Sequence, residues 1–259
     1  MGAHWAGQMG GAQFQAQQLV AALAQEGGFS VAYLARRVDH SFVATDHEVV
    51  QICNPVGIRR HTFALDWIPL WRSLDRVKPH VIYQRGLSGY TGICAAYSKA
   101  RAVPFVFHVA HTNDVANKGE IRGTTHGRLG FLDRALGHYG VRRTTAVLAQ
   151  TADQAKLLRR NFGIDSWAVV RNFHPEARGE RVRSVLPRLL WIANWKKLKR
   201  PNLFIEFAKA VADTIDAEFV MLGRLAKDQR VSAGVFRIGR NSTLRIEGEV
   251  SVEEVERRL

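Results

Sequence analysis

Residues 189–223, LLWIANWKKLKRPNLFIEFAKAVADTIDAEFVMLG, decide the fold. The first five residues of this stretch are apolar and show no helical period, which is typical of a buried parallel strand. A basic loop follows, and it leads into a helix with Pro201 in its first turn, where proline is favoured. Residues 217–222 form the next apolar run. The stretch therefore predicts a strand, a loop, a helix and a second strand of an α/β fold with parallel sheets.

The loop between the first strand and the helix carries four cations, Lys196, Lys197, Lys199 and Arg200. In a right-handed crossover this loop and the helix N-terminus meet at the carboxyl edge of the sheet. Free backbone N–H groups and the helix dipole favour an anion there. We therefore expect the loop to bind a phosphate, although a run of cations in many proteins is only a solvated loop.

The helix has an apolar residue at every fourth position. The repeat predicts a stripe that packs on the sheet. Its members are Leu203, Phe207, Val211 and Ile215, with Phe204, Ala208 and Ala212 beside them.

These residues resemble the start of the C-terminal domain in family-four glycosyltransferases of the GT-B fold. In that family the strand ends in Gly-Arg-Leu, and a lysine after it binds the diphosphate of a sugar nucleotide. Ala193, Asn194 and Trp195 take the three places here, and Lys199 takes that of the lysine. The family's arginine is replaced by a neutral amide, which weakens the expected clamp on the diphosphate. The resemblance implies a donor site formed by Asn194, Lys196, Lys199, Arg200 and Gly223.

The resemblance extends over nearly the whole chain and implies two Rossmann-like domains. Residues 1–172 are expected to form the acceptor-side domain, 173–187 the linker and 188–259 part of the nucleotide-sugar domain. The first strand of the first domain and the second half of the second domain are not found in the sequence. We therefore expect residues 1–259 alone to bind nucleoside diphosphates weakly and to show no detectable transfer.

Two features of the first domain are candidate site residues. Gly10 and Gly11 precede a helix, and such a pair is in most proteins only a turn. The resemblance implies that their backbone approaches the acceptor or the transferred sugar.

The second feature is the polar sequence after the apolar strand at 104–109. His108 and His111 are both candidates, and a lone histidine is most often a hydrogen-bonded structural residue. The resemblance favours His111, with Asp114 as its neighbour, in polarising or orienting the acceptor hydroxyl.

The composition leaves several partners open. The 259 residues include 37 basic and 23 acidic ones, a net charge of +14. Nucleic acid, an anionic membrane face and phosphorylated substrates would each fit that charge, but no groove-reading motif supports nucleic acid. No apolar run is long enough to span a membrane, and the start does not resemble a signal peptide, so we expect a cytoplasmic protein. Cys53 and Cys94 are expected to be buried reduced thiols.

The function that the resemblance implies is retaining transfer of a sugar from a nucleotide diphosphate sugar to a glycan or lipid-linked acceptor, as in polysaccharide biosynthesis. It implies no metal and no cofactor beyond the donor. The acceptor class and the positive charge suggest a peripheral position on the inner face of the membrane. The alternative is a non-catalytic remnant or phosphate-binding module that keeps the basic loop without turnover.

Overall fold

The computed structural model describes residues 2–7, 10–39, 41–52, 62–116, 130–174, 185–196, 199–225, 233–251 and 254–255. It divides into two compact units, Met1–Phe173 and His174–Leu259. Most of the predicted linker lies outside the described residues, as do Cys53 and Lys197.

The first unit alternates helices and short strands. Its helices are α1 (Gly11–Glu26), α2 (Trp67–Val77), α3 (Gly89–Arg101), α4 (Gly130–Val141) and α5 (Ala152–Phe162). Its strands are β1 (Ala32–Ala35), β2 (Glu48–Gln51), β3 (Ile82–Arg85), β4 (Phe105–His108), β5 (Ala146–Ala149) and β6 (Ala168–Val169). Short 3-10 turns lie at Ala64–Asp66 and Thr112–Asp114.

The strands of the first unit pair in parallel. β1 pairs with β2, and a second sheet has the order β3-β4-β5-β6. Near the start of the chain, Ala3 forms an isolated parallel bridge with Arg37. Alternation along β4 buries Phe105 and Phe107 completely on one face, where they join the main core with Leu158 of α5.

Glycines let α3 and α4 approach closely within this unit. A Cβ on Gly92 would lie 2.5 Å from the backbone oxygen of Leu136, and one on Gly140 would lie 2.3 Å from that of Thr91. Either substitution would force the two helices apart. This contact fixes the start of α3, which follows directly from the carboxyl end of β3.

The second unit contains one helix on a four-stranded sheet. The elements are β7 (Arg188–Ile192), α6 (Pro201–Val211), β8 (Glu218–Leu222), β9 (Gly234–Arg237) and β10 (Thr243–Ile246). The sheet order is β7-β8-β10-β9, and β9 is an antiparallel edge strand beside three parallel ones. The predicted strand, loop, helix and strand are therefore present.

The predicted packing stripe of α6 is wrong for two of its four members. Leu203 and Ile215 are 53% and 44% exposed, whereas Phe207 lies edge-on to the buried Phe219 of β8 with 6.1 Å between the ring centroids. As predicted, Ala208 is fully buried and Phe204 packs against the same core, together with the partly buried Ile205 and Val211. A strict four-residue repeat drifts around a helix of 3.6 residues per turn, so the true buried face mixes spacings of three and four. Ile215 also lies beyond the end of α6.

Two further sequence expectations concern cysteine and the membrane. Cys94 is a buried free thiol, and burial raises its pKa to about 12. Among the residues that the structure describes, no helix combines the length and apolar character needed to cross a bilayer.

Candidate functional site

In the second unit, three loops meet at the carboxyl edge of the sheet. The loop after β7 is joined to the end of β8 by two backbone hydrogen bonds, from Ala193 N–H to the Leu222 carbonyl and from Trp195 N–H to the Arg224 carbonyl, each 3.0 Å. Gly223 N–H donates to the Gly248 carbonyl beyond β10 at 3.1 Å. The start of the basic loop is thus fixed to the edge of the sheet by backbone hydrogen bonds.

Gly223 makes this close approach possible. Its φ is +143°, a conformation that side chains rarely allow, and a Cβ there would lie 1.9 Å from the Ala193 carbonyl oxygen. The structure therefore gives Gly223 a packing role at the predicted donor site, because it lets the loops after β7 and β8 touch.

Trp195 anchors the same loop in the core. Its ring is buried and lies edge-on to Trp191, with 5.7 Å between the ring centroids. The indole N–H is buried without a hydrogen-bond acceptor among the described residues. The sequence only aligned this tryptophan with the leucine of the family motif. The structure shows that it holds the loop to the sheet.

The polar residues of the loop face solvent at the start of α6. Asn194, Lys196, Lys199 and Arg200 are all exposed, and none of the three cations has an ion-pair partner among the described residues. Arg200, with a φ of +51°, is the N-cap of α6 and provides no side-chain cap. Pro201 has no N–H and the Leu203 N–H donates to the Arg200 carbonyl at 3.1 Å, so the exposed cations and the positive end of the helix dipole are what this helix start offers to an anion.

In the first unit, His111 lies exposed just beyond β4. Its Nδ1 accepts a hydrogen bond from the Asn113 backbone N–H at 3.0 Å. Since Nδ1 is the acceptor, the proton of the neutral ring is on Nε2, and the ring offers a hydrogen-bond donor to solvent. The exposed nitrogen can therefore donate to an oxygen without acting as a base.

Asp114 holds the backbone of this turn. Its Oδ2 accepts from the N–H groups of Ala110, at 2.8 Å, and His111, at 3.0 Å. Burial raises the pKa of the carboxyl, and these N–H groups oppose that shift. The structure thus brings Asp114 to the backbone of His111 and gives it the role of positioning that residue.

His108 is a buried structural histidine. The Tyr83 hydroxyl lies 2.7 Å from its Nδ1, and its Nε2 lies 3.2 Å from the Val170 carbonyl, so Nε2 carries the proton. Burial, and then the charge of Arg85, lower its pKa to about 4. His108 is therefore neutral at physiological pH, and both nitrogens are engaged within the protein.

Gly10 and Gly11 begin α1. Gly10 is the N-cap in an extended conformation, without a side-chain cap. A Cβ on Gly11 would meet nothing within 4 Å, and one on Gly10 would meet only the Gln13 side chain. Packing against the described residues does not require glycine at either position, so none of them fills the space beside this helix start.

Two polar residues near this edge, Gln15 and Arg85, had no role in the sequence interpretation. Gln15 of α1 makes two hydrogen bonds with the backbone of Phe173, at 2.6 and 2.7 Å, and Arg85 donates to Asn172 Oδ1 at 2.5 Å. The only local signal was a charged residue at the end of the apolar strand β3. The partners lie 158 and 87 residues away along the chain, so spacing in the sequence does not reveal them.

Parallel sheets with polar loops at their carboxyl edges define an α/β protein of the class that binds ligands at those edges. The chain belongs to Glycosyltransferase Family 4, whose sequence profile matches residues 9–178, more than half of the chain. Comparison with curated protein sequences gives no match.

Comparison with solved structures gives several similar chains. The apo lipopolysaccharide outer core galactosyltransferase WaaB is similar with a TM-score of 0.52 at 10% identity, over 87% of this chain and 60% of that one. MurG of Acinetobacter baumannii gives 0.49 at 13% identity, over 99% and 67%. A UGT transferase of Siraitia grosvenorii in complex with UDP gives 0.48 at 12%, over 84% and 61%. The predicted α/β fold of the GT-B type is confirmed, and the chain spans about 60% of the galactosyltransferase.

Proposed function

We propose that the protein is a glycosyltransferase that moves a sugar from a nucleotide diphosphate sugar to a glycan or lipid-linked acceptor, with retention at the sugar carbon. The observation that supports this most directly is the basic loop at the open start of α6. Its exposed cations have no ion-pair partner among the described residues. Membership of Glycosyltransferase Family 4 supports the same reaction class.

The donor side works by electrostatic stabilisation. When the glycosidic bond to the diphosphate breaks, negative charge grows on the leaving phosphate. Lys199 and Lys196 provide positive charge near the positive end of the α6 dipole, so the site favours the diphosphate most when the negative charge on it is largest. Asn194, in the place of the family's arginine, contributes a neutral hydrogen bond only.

The acceptor side works by orientation. The hydrogen bond to Nδ1 holds the His111 ring, and the Asp114 carboxylate holds the His111 backbone. The Nε2–H of the ring is left as a hydrogen-bond donor towards solvent. A donor at this position orients an acceptor oxygen and does not remove its proton. Gly10 and Gly11 leave open space at the start of α1, where backbone N–H groups can approach a polar group of the acceptor or sugar.

The net charge of +14 supports a position on the inner, anionic face of the cytoplasmic membrane, where a lipid-linked acceptor would be met. The protein would attach to the membrane surface by electrostatic attraction, as a peripheral protein of the cytoplasm. Its role there would be in polysaccharide biosynthesis.

Release of nucleoside diphosphate from a panel of sugar nucleotides tests the reaction. The assay uses cell membranes as acceptor and compares residues 1–259 with the full product of the gene. We expect sugar-dependent release by the full product that Lys199→Ala reduces and Lys209→Ala does not. Lys209 is an exposed lysine on α6, away from its first turn, and therefore controls for net charge. Equal release from every sugar nucleotide with and without protein would contradict the proposal.

A further inference from the structure

A buried guanidinium in the first unit lacks a counter-charge. Arg85, the last residue of β3, is 8% exposed. One terminal nitrogen donates to Asn172 Oδ1 at 2.5 Å, the other lies 3.3 Å from His108 Nδ1, and Nε is buried without an acceptor. Within the described part of the chain, no carboxylate lies at ion-pair distance from it.

A second buried arginine of the same unit shows what a neutralised site looks like. Arg36 is 7% exposed, and its Nε and one terminal nitrogen donate to Asp66 Oδ2 at 2.8 and 2.5 Å. The Tyr90 hydroxyl donates to the same oxygen. A buried charge is tolerated when it is paired in this way, whereas an unpaired one opposes folding. The two arginines are equally buried, and of the two only Arg36 contacts a carboxylate of the described residues.

The neighbours of Arg85 do not replace a carboxylate. Asn172 and Tyr83 are neutral, and His108 is held neutral with both nitrogens engaged. The local charge is therefore that of one guanidinium.

The place of Arg85 in the fold is where ligands bind. Its Cα is in register with that of His108, at the carboxyl end of β3 and β4, and Gly86 turns the chain with a φ of +81°. Doubly wound sheets take their ligands at this edge. Asn172, which now accepts from Arg85, is exposed, so that side of the guanidinium lies next to solvent.

We propose that Arg85 binds an anionic group of a substrate, a phosphate or a carboxylate, at the carboxyl edge of β3 and β4. An anion oxygen takes the donor now bonded to Asn172 and a second oxygen accepts from another N–H, the bidentate arrangement that guanidinium favours. That the anion belongs to the acceptor rests on the proposed function. Anion binding itself does not rest on it.

The test follows the ring signals of His108 by NMR, because they report on this edge alone. Inorganic phosphate and glucuronate, at constant ionic strength, are the probes. We expect saturable shifts and a rise of the His108 pKa from about 4, since the bound anion offsets the charge of Arg85. Lys199→Ala should keep these shifts while it weakens nucleoside diphosphate binding, which separates this site from the donor loop.

Arg85→Met and Asn172→Asp are the decisive variants. Arg85→Met should lower the affinity for the probe at least tenfold and leave the melting temperature unchanged or higher without it. Asn172→Asp supplies a carboxylate within the protein, so it should raise the melting temperature and abolish the response to the probe.

Arg134→Met is the matched control. Arg134 of α4 also has a buried Nε without an acceptor and donates to the Ala116 carbonyl, but among the described residues it has no hydrogen bond with Arg85, His108 or Asn172. It should leave the His108 response intact. Equal shifts in wild type, Arg85→Met and Asn172→Asp, or no shift in wild type, would overturn the assignment. If Arg85→Met does not fold, the Asn172→Asp result decides alone.

Discussion

At the carboxyl edge of the first sheet, one residue positions its neighbour, and the neighbour offers a hydrogen-bond donor. Polar residues after an apolar strand made His108 and His111 candidates, and the family resemblance favoured His111 with Asp114. The direction of the hydrogen bonds was not readable, because it depends on a turn that places Asn113 N–H on the His111 ring. The structure therefore makes His111 a donor through Nε2 and makes Asp114 its support.

The donor role of His111 predicts different effects for two substitutions. His111→Gln keeps an N–H donor, and His111→Phe removes it. We expect His111→Phe to lower the rate of sugar transfer by roughly twofold to tenfold, the range for one neutral hydrogen bond, and His111→Gln to lose much less. Initial rates of nucleoside diphosphate release by the full product of the gene measure this. A loss as large with glutamine as with phenylalanine would mean that the histidine acts as a base instead.

The buried neutral His108 predicts a pH dependence of stability. Its pKa in the folded state is about 4, below the unfolded value near 6.5, so protonation favours unfolding. Its contribution to stability is complete above pH 6.5 and decreases as the pH falls towards about 4. As the pH falls over this range, the melting temperature of His108→Gln should therefore decrease less steeply than that of wild type. Parallel curves for the two proteins would show that His108 does not titrate in this way.

At the scale of elements, the strand, loop, helix and strand of the second unit were predictable because apolar runs and Pro201 mark them. The buried face of α6 was predicted only in part, since Ala208 is buried as expected while Leu203 and Ile215 are exposed. The link from Arg85 to Asn172 was also hidden, because it joins two strand ends far apart in the sequence. Local pattern thus gave the elements, and tertiary contacts chose their faces and partners.

The joined loops of the second unit predict a large cost for one substitution. Gly223→Ala places a Cβ against the Ala193 carbonyl, so it should destabilise the protein by more than about 3 kcal/mol. Gly163→Ala is the control, because Gly163 also has positive φ but meets nothing within 4 Å. It should cost only about 1 kcal/mol. Urea unfolding compares the two, and equal costs would show that the loops after β7 and β8 are not in tight contact.

At the scale of the whole molecule, the excess of basic residues predicts binding to anionic membranes. Each cation near such a surface contributes about 1 kcal/mol. Sedimentation with liposomes should recover more protein with anionic than with neutral vesicles at low salt, and added salt should remove the difference. Equal recovery with both vesicles at low salt would count against a membrane role for the charge.

The central claim is that the basic loop before α6 binds the diphosphate of a sugar nucleotide. Titration calorimetry with UDP, GDP and ADP tests it most directly, on wild type, Lys199→Ala and the control Lys209→Ala. A charged hydrogen bond is worth about 1.5–3 kcal/mol, so Lys199→Ala should weaken the preferred nucleotide by roughly tenfold to 150-fold. Lys209→Ala should bind as wild type does. Equal affinity of Lys199→Ala and wild type for every nucleotide would contradict the claim.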